Sequence, residues 1–206
     1  MEENQRWLDW AIELQALAQA GLYYGQDRFD LERYERIREI AGEMMARQAD
    51  LPLAKVKELF LNETGYQTPK LDTRAAVFQN DRILLVKENN GLWSLPGGWV
   101  DVNLSIKENT EKEALEEAGL RVRAERIIAV QDRKKHNQPP HAFSIIKVFV
   151  LCACLGGSFQ PNSETTESGF FSLEKLPELC NDKNTLEQVK ICFQANDDPD
   201  WRVLFD

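Results

Sequence analysis

Near residue 66 the spacing of apolar side chains changes period, and that change constrains what the chain can fold into. Upstream, Trp7, Trp10, Ala11, Leu14, Leu17, Ala18 and Gly21 recur at i, i+3, i+4, i+7, the stripe of an amphipathic helix. Leu31, Tyr34, Ile37, Ala41, Met44 and Met45 repeat the pattern. A third, shorter segment opens behind Asp50 as a cap with Pro52 in its first turn, carries Val56, Leu59 and Phe60, and stops near Gly65. Trp7 and Trp10 are expected in helix packing. Such helices need a partner surface, which the rest of the chain, a second copy or a ligand could provide. Downstream the texture is β-rich. Runs over 73–79 and 82–87 are joined by Asn80-Asp81, a two-residue hairpin signal. Long strands are expected over 121–132 and 142–154, with the loop 133–141 between them, then a short strand over 169–173 and a last helix over 184–195. The expected organisation is a helical domain over 1–66 followed by an α/β domain over 67–206.

Composition narrows the function classes. With 34 acidic and 25 basic residues in 206, the formal charge is −9. That balance argues against wholesale coating of nucleic acid, which needs cations to neutralise phosphates. No run of 18 apolar residues occurs, and Glu2 and Glu3 stand where a secretion leader would be basic. Neither a membrane span nor a leader is expected. Cys152, Cys154, Cys180 and Cys192 form no C-x-x-C pair, and only His136 and His141 could join them on zinc. Reduced, inert thiols and a cytoplasmic setting follow as expectations.

The most informative segment is a charged helix behind two glycines. Ser105 with Glu108 makes a capping-box pattern, and Gly119 stands where a glycine stop belongs. Between them, residues 106–118 carry a net −3, with Glu113, Glu116 and Glu117 at i, i+3, i+4. Alone, such a trio reads as a solvated helix face ahead of any site. Ahead of it, however, Gly97-Gly98 lets backbone approach a ligand closely, and carboxylates are natural ligands for hard cations such as Mg²⁺. Metal-assisted attack on a phosphate ester or anhydride is the chemistry this combination suits.

The run Gly98-x5-Leu104-x7-Lys112-Glu113-Ala114-Leu115-Glu116-Glu117-Ala118-Gly119-Leu120 resembles the Nudix box, G-x5-E-x7-R-E-U-x-E-E-x-G-U. Leu104 replaces the first glutamate, Lys112 the arginine, and Ala114 is smaller than the usual bulky aliphatic residue. In the family the replaced pair helps hold the loop–helix–loop together, so its loss need not remove the catalytic carboxylates. Lys112 could pair instead with Glu108 or Glu116. Together with the N-terminal helices, Leu95-Pro96-Gly97-Gly98-Trp99, Asp101-Val102-Asn103-Leu104-Ser105 and the 132–140 loop, the box resembles a bacterial subgroup acting on nucleoside diphosphates linked to another moiety. That subgroup includes CDP-choline pyrophosphatases, and leucine and lysine are usual at its variant box positions.

The resemblance implies a Nudix α/β/α sandwich with a mixed sheet, a homodimer, and Mg²⁺, with Mn²⁺ as a substitute. It implies Glu113, Glu116 and Glu117 as metal-binding and base-bearing carboxylates, with Glu164 or Glu167 as a later-loop base and Gly97 or Gly98 as a carbonyl ligand. Products would be a nucleoside monophosphate and phospho-X. From the residues themselves, Arg133, Lys134, Lys135 and His136 are placed to meet an anionic substrate, and Trp99 could stack on a base or pack in the core. Three rival functions stay open: an ADP-ribose or nucleotide-sugar pyrophosphatase, a non-catalytic ligand sensor on the same fold, and RNA-end processing.

Overall fold

The computed structural model describes residues 2–49, 52–61, 63–141 and 143–206. The Asp50 cap and residue 142 as a strand start lie outside them, as do the side chains of Leu59 and Phe60. The chain divides into two compact units, Met1–Pro69 and Lys70–Asp206.

The first unit is helical: α1 (Glu2–Tyr24), α2 (Arg28–Ala49) and α3 (Leu53–Phe60), with α1 packed on α2 and α2 on α3. Asp27 starts α2 by accepting bonds from the Phe29 and Asp30 N–H groups at 2.9 and 3.1 Å. Small residues make the contact. Ala11, Ala18 and Ala41 are buried, and the Tyr34 ring lies where any side chain on Gly21 would stand. This corrects the expectation for Trp7 and Trp10, which stay 48% and 45% exposed and meet each other edge to face at 5.2 Å. Alanine and glycine let the helix backbones approach, which leaves the tryptophans outside the contact. Leu17, Tyr23, Tyr24 and Phe29 are exposed as well.

The second unit is a mixed sheet between helices. Its strands are β1 (Lys70–Gln79), β2 (Arg82–Glu88), β3 (Trp93–Ser94), β4 (Leu120–Asp132), β5 (Ile145–Gly157), β6 (Thr165–Phe171) and β7 (Leu204–Phe205). The order is β3-β2-β1-β5-β4-β7, with β6 also on β2. The β1–β5 and β4–β7 pairs are parallel and the others antiparallel. Asn80 and Asp81 both have positive φ, 52° and 55°, so the hairpin turns through the left-handed geometry that matches strand twist. One apolar layer joins Ala75, Val77, Leu84 and Val150 of the sheet to Ala114 and Ala118 of α4 (Ile106–Ala118). On the other face Ala76, Leu85, Ile128 and Phe149 pack with Val189, Cys192 and Ala195 of α6 (Leu186–Asp197). All four cysteines are free thiols, and burial pushes the Cys152 thiol up to about 12.

Two sequence expectations change here. The segment after β4 is not a loop at its start: Arg133–His136 forms a one-turn helix, α5, because the Asp132 carboxylate accepts the Lys134 N–H at 2.9 Å. The strand expected over 169–173 begins at Thr165 and ends at Phe171.

Candidate active site

A cavity of about 390 Å³ is lined in the second unit by the glycine pair, by glutamates of α4 and by basic residues of the sheet. Its glycines are fixed by main-chain bonding to the edge of β1. Ala75 N–H donates to Pro96 O at 2.8 Å, Thr73 N–H to Gly98 O at 2.9 Å, and Val100 N–H to Leu71 O at 3.0 Å. Gly97 has φ +148°, and a Cβ there would stand 1.8 Å from the Thr73 carbonyl oxygen. Only glycine fits so close an approach.

Helix α4 is set by both of its ends. Ser105 and Glu108 form the reciprocal capping box, and Gly119 closes the helix in left-handed geometry at φ 67°. Asn109 ties it to the strand through Thr73 Oγ1 at 2.9 Å. Glu113 and Glu117, one turn apart, are thereby buried against the glycines. Glu117 is 3% exposed and accepts the Gly97 N–H at 2.8 Å. Burial pushes its carboxyl up to about 7, against the pull of the nearby Arg74 guanidinium. Glu113 faces Gly98 and is likewise raised by burial, which outweighs the Lys112 ammonium.

Glu116 shares less of that face. Its side chain is largely exposed and pairs with Lys112, since i+3 and i+4 positions diverge around a helix. Lys112 does not bond Glu108, whose carboxylate is held by the cap. Its ammonium sits 3.2 Å from Asp101, 3.1 Å from Glu113 and 3.1 Å from Glu116. Glu164 also lines the cavity. Asn162 places it, bonding the Glu116 carbonyl at 2.9 Å while accepting the Glu164 and Thr165 N–H groups at 2.9 Å each. Glu167 instead pairs with Lys87 across β2 and β6 at 2.7 Å and is not among the lining residues.

The remainder of the lining brings four cations, Arg74, Arg133, Lys147 and Lys183, together with Asp72, Asp101 and Asp182. Arg74 grips Asp72 with two bonds, 2.8 and 2.6 Å, and Lys147 approaches the same carboxylate at 3.4 Å. Burial opposes ionisation of Asp72, yet Arg74 and Lys147 outweigh it and hold its carboxyl below the usual range. Lys183 pairs with Glu88 at 2.5 Å. Arg133 lines the cavity too, although its guanidinium is engaged by Asp182 and the Pro139 carbonyl. Two other residues expected to meet substrate lie elsewhere. Lys135 is exposed, and His136 is turned to Asp206 at 2.9 Å; neither lines the cavity. Trp99 stands at it, 47% exposed.

Sequence reasoning missed Asp72, Arg74, Asp101, Lys147 and Lys183. The signal for Lys147 was present as one lysine inside an otherwise apolar strand.

The donor set fits a divalent cation in its chemistry. Glu113 and Glu117 offer hard oxygens beside glycine backbone, and the Lys112 ammonium bridges Glu113 to Asp101 and Glu116 at the rim. Among the described residues no three acidic, His or Cys side chains converge as a metal cluster. The Gly98 carbonyl is engaged by Thr73, as noted above.

Comparisons with known proteins agree with this architecture. Residues 5–60 match a family described as UDP-X-like, N-terminal oligomerisation domain, and residues 68–190 match the NUDIX domain. A Bacillus subtilis (strain 168) protein, YjhB, named as a candidate ADP-ribose pyrophosphatase, is 39% identical over 98% of this chain and 97% of its own. The crystal structure of an ADP-ribose pyrophosphatase from Streptococcus suis 89-1591 is 57% identical, covering 68% of this chain and all of that one, with TM-score 0.64. The crystal structure of a UDP-X diphosphatase is 31% identical over 98% of both chains, with TM-score 0.63.

Proposed function

This chain belongs to the Nudix hydrolase family, and we propose that its cleft hydrolyses the pyrophosphate bond of a nucleoside diphosphate linked to a small moiety X. The observation that carries the reading is the placement of two buried carboxylates, Glu113 and Glu117, in one cavity with the cations Arg74, Lys147 and Lys183.

Glu113 and Glu117 would hold Mg²⁺, or Mn²⁺ in its place, with Glu116 at the rim and Gly97 as the carbonyl candidate. When bound, the metal neutralises charge on the pyrophosphate and acidifies water. Glu117 keeps its carboxylate oriented through the Gly97 N–H, and its ionised form is the one that would meet the metal. Glu164, held on the Asn162 loop, is the further candidate for proton removal, ahead of Glu167. Arg74, Lys147 and Lys183 add positive charge to the cavity wall. Trp99, half exposed at the cavity, is offered as a stacking surface for a base.

The subgroup resemblance supports CDP-choline as substrate, while the names of the relatives support ADP-ribose and UDP-X compounds. Incubating the protein with Mg²⁺ and ADP-ribose, a UDP-sugar or CDP-choline is expected to release inorganic phosphate only after a phosphatase is added. Silence across the panel at high protein concentration would favour the ligand-sensor reading. For RNA-end processing, binding to RNA should weaken steeply with salt; a flat response removes it.

The helices of the first unit are proposed to form a homodimer. The exposed Trp7, Trp10, Leu17, Tyr23, Tyr24 and Phe29 and the match to an oligomerisation domain support this. Sedimentation at micromolar concentration is expected to give twice the chain mass, and a species of 23.7 kDa would contradict it.

A further inference from the structure

We propose that the Lys147 ammonium, with the Arg74–Asp72 pair behind it, is an anion subsite that contacts a phosphoryl oxygen of the substrate's pyrophosphate. Charge and geometry both lead there. Asp72 and Lys147 are partners in the parallel β1–β5 register, and Arg74 lies two residues on, so all three project from one face. All three are buried and all line the cavity, with one carboxylate against two cations. Arg74 is fixed by its neighbours: Nε and Nη2 bond Asp72, and Nη1 donates to the Leu95 carbonyl at 3.2 Å, using three of its five N–H donors. Lys147 spends one donor on the Lys183 carbonyl at 2.7 Å and only a long 3.4 Å contact on Asp72. An ammonium has three donors, so this one keeps a proton for a ligand.

The surplus positive charge is isolated by what surrounds it. Glu88 is bound by Lys183 and Ser94, and Asp182 is bound by Arg133. Glu117 lies near enough to feel Arg74, but in the proposed function its charge is committed to metal. A buried cation without its own anion is costly, and a pyrophosphate in the cavity would supply one. The groups facing Lys147 are Asp72 and Arg74 from β1, Arg133 from α5, His141 from the following loop, and the Lys183 carbonyl. Burial and then Arg74 lower Lys147 to about 8; burial and then Arg133 lower His141, so His141 is neutral while Lys147 titrates.

The identity of the ligand rests on the pyrophosphohydrolase reading, so the test separates the two. Inorganic pyrophosphate is titrated into the full-length protein in EDTA, followed by calorimetry. Wild type is expected to bind, K147M to bind at least tenfold more weakly, and K147R to recover to within about threefold. Without metal Glu117 ionises near 7 in the same cavity, so affinity is expected to fall with pH in both proteins up to about 8; above that the wild type is expected to keep falling and K147R to level off. The Asp72–Arg74 pair stays balanced in K147M, so the fold is expected to survive. Should K147M not fold, the NMR titration of the wild-type Lys147 ammonium decides: its midpoint is expected to rise by at least one pH unit with pyrophosphate. Equal binding by folded K147M, or an unmoved Lys147 midpoint, overturns the subsite. Pyrophosphate binding by a protein silent on the nucleotide panel would instead sink the hydrolase reading and leave the subsite standing.

Discussion

Replacing Glu117 with Gln is expected to lower kcat by about 10³-fold, in the range typical of losing a positioned acid–base or charge-stabilising group. Glutamine keeps the shape and can still accept the Gly97 N–H, so the loop geometry survives while the charge is lost. The same change is expected to stabilise the metal-free protein above pH 7. The Glu117 carboxyl is raised by burial from 4.5 to about 7, so the folded state binds its proton more tightly than the unfolded state does. Between those two values stability falls as pH rises, and above pH 7 the full cost of the buried charge applies. At 1.36 kcal/mol per pKa unit that cost is about 3 kcal/mol, taken as an upper value. Thermal melts at pH 8 in EDTA should therefore place the variant above wild type, whereas at pH 4 the two should converge. Turnover within threefold of wild type would refute the carboxylate assignment. A variant less stable than wild type at pH 8 would refute the burial argument.

Gly97→Ala is expected to cost the fold about 4 kcal/mol or more, combining backbone strain with a steric clash. The new Cβ would meet the Thr73 carbonyl oxygen at 1.8 Å and the Arg74 Cα at 2.9 Å, and neither belongs to a side chain that can rotate away. Relief requires residues 96–98 to leave β1, breaking the bonds from Thr73 and Ala75 and the Gly97 bond to Glu117. A loss of roughly 10 °C or more in Tm follows for a unit of this size, with loss of turnover. Gly98→Ala is the control. Its Cβ meets the Glu113 carboxylate at 3.0 Å, the far end of a flexible side chain, so the fold should hold while Glu113 is displaced. Similar melting of the two alanine variants would contradict this division of roles.

The parts of the site that were legible in the sequence are those governed by local backbone chemistry. Helix α4 is bounded by Ser105, Glu108 and Gly119 through bonds spanning three or four residues, and each is a residue-type requirement. The Asn80-Asp81 turn is equally local. What escaped is set by tertiary placement. Both faces of β1 are buried, so no alternation marks Asp72 and Arg74 as a pair, and their partner Lys147 lies 75 residues on. The loop at 133–136 shows the opposite failure. Its charge run suggested an open anion site, yet Asp132 winds it into a turn, Asp182 takes Arg133, and Asp206 takes His136. In the first unit, the i, i+3, i+4 stripe located the helices and the contact residues Ala11, Ala18, Gly21, Tyr34 and Ala41, but not the exposure of Trp7, Trp10 and Leu17, because alanine and glycine pack closer than larger side chains.

The most direct test of the cleft as an anhydride-hydrolysing site is product formation from the nucleotide panel with and without EDTA, in ¹⁸O-labelled water. Nucleoside monophosphate and phospho-X should appear only with Mg²⁺ or Mn²⁺, with one labelled oxygen in one of the two products. Absence of hydrolysis at every metal concentration, or hydrolysis unchanged by EDTA, would contradict the assignment.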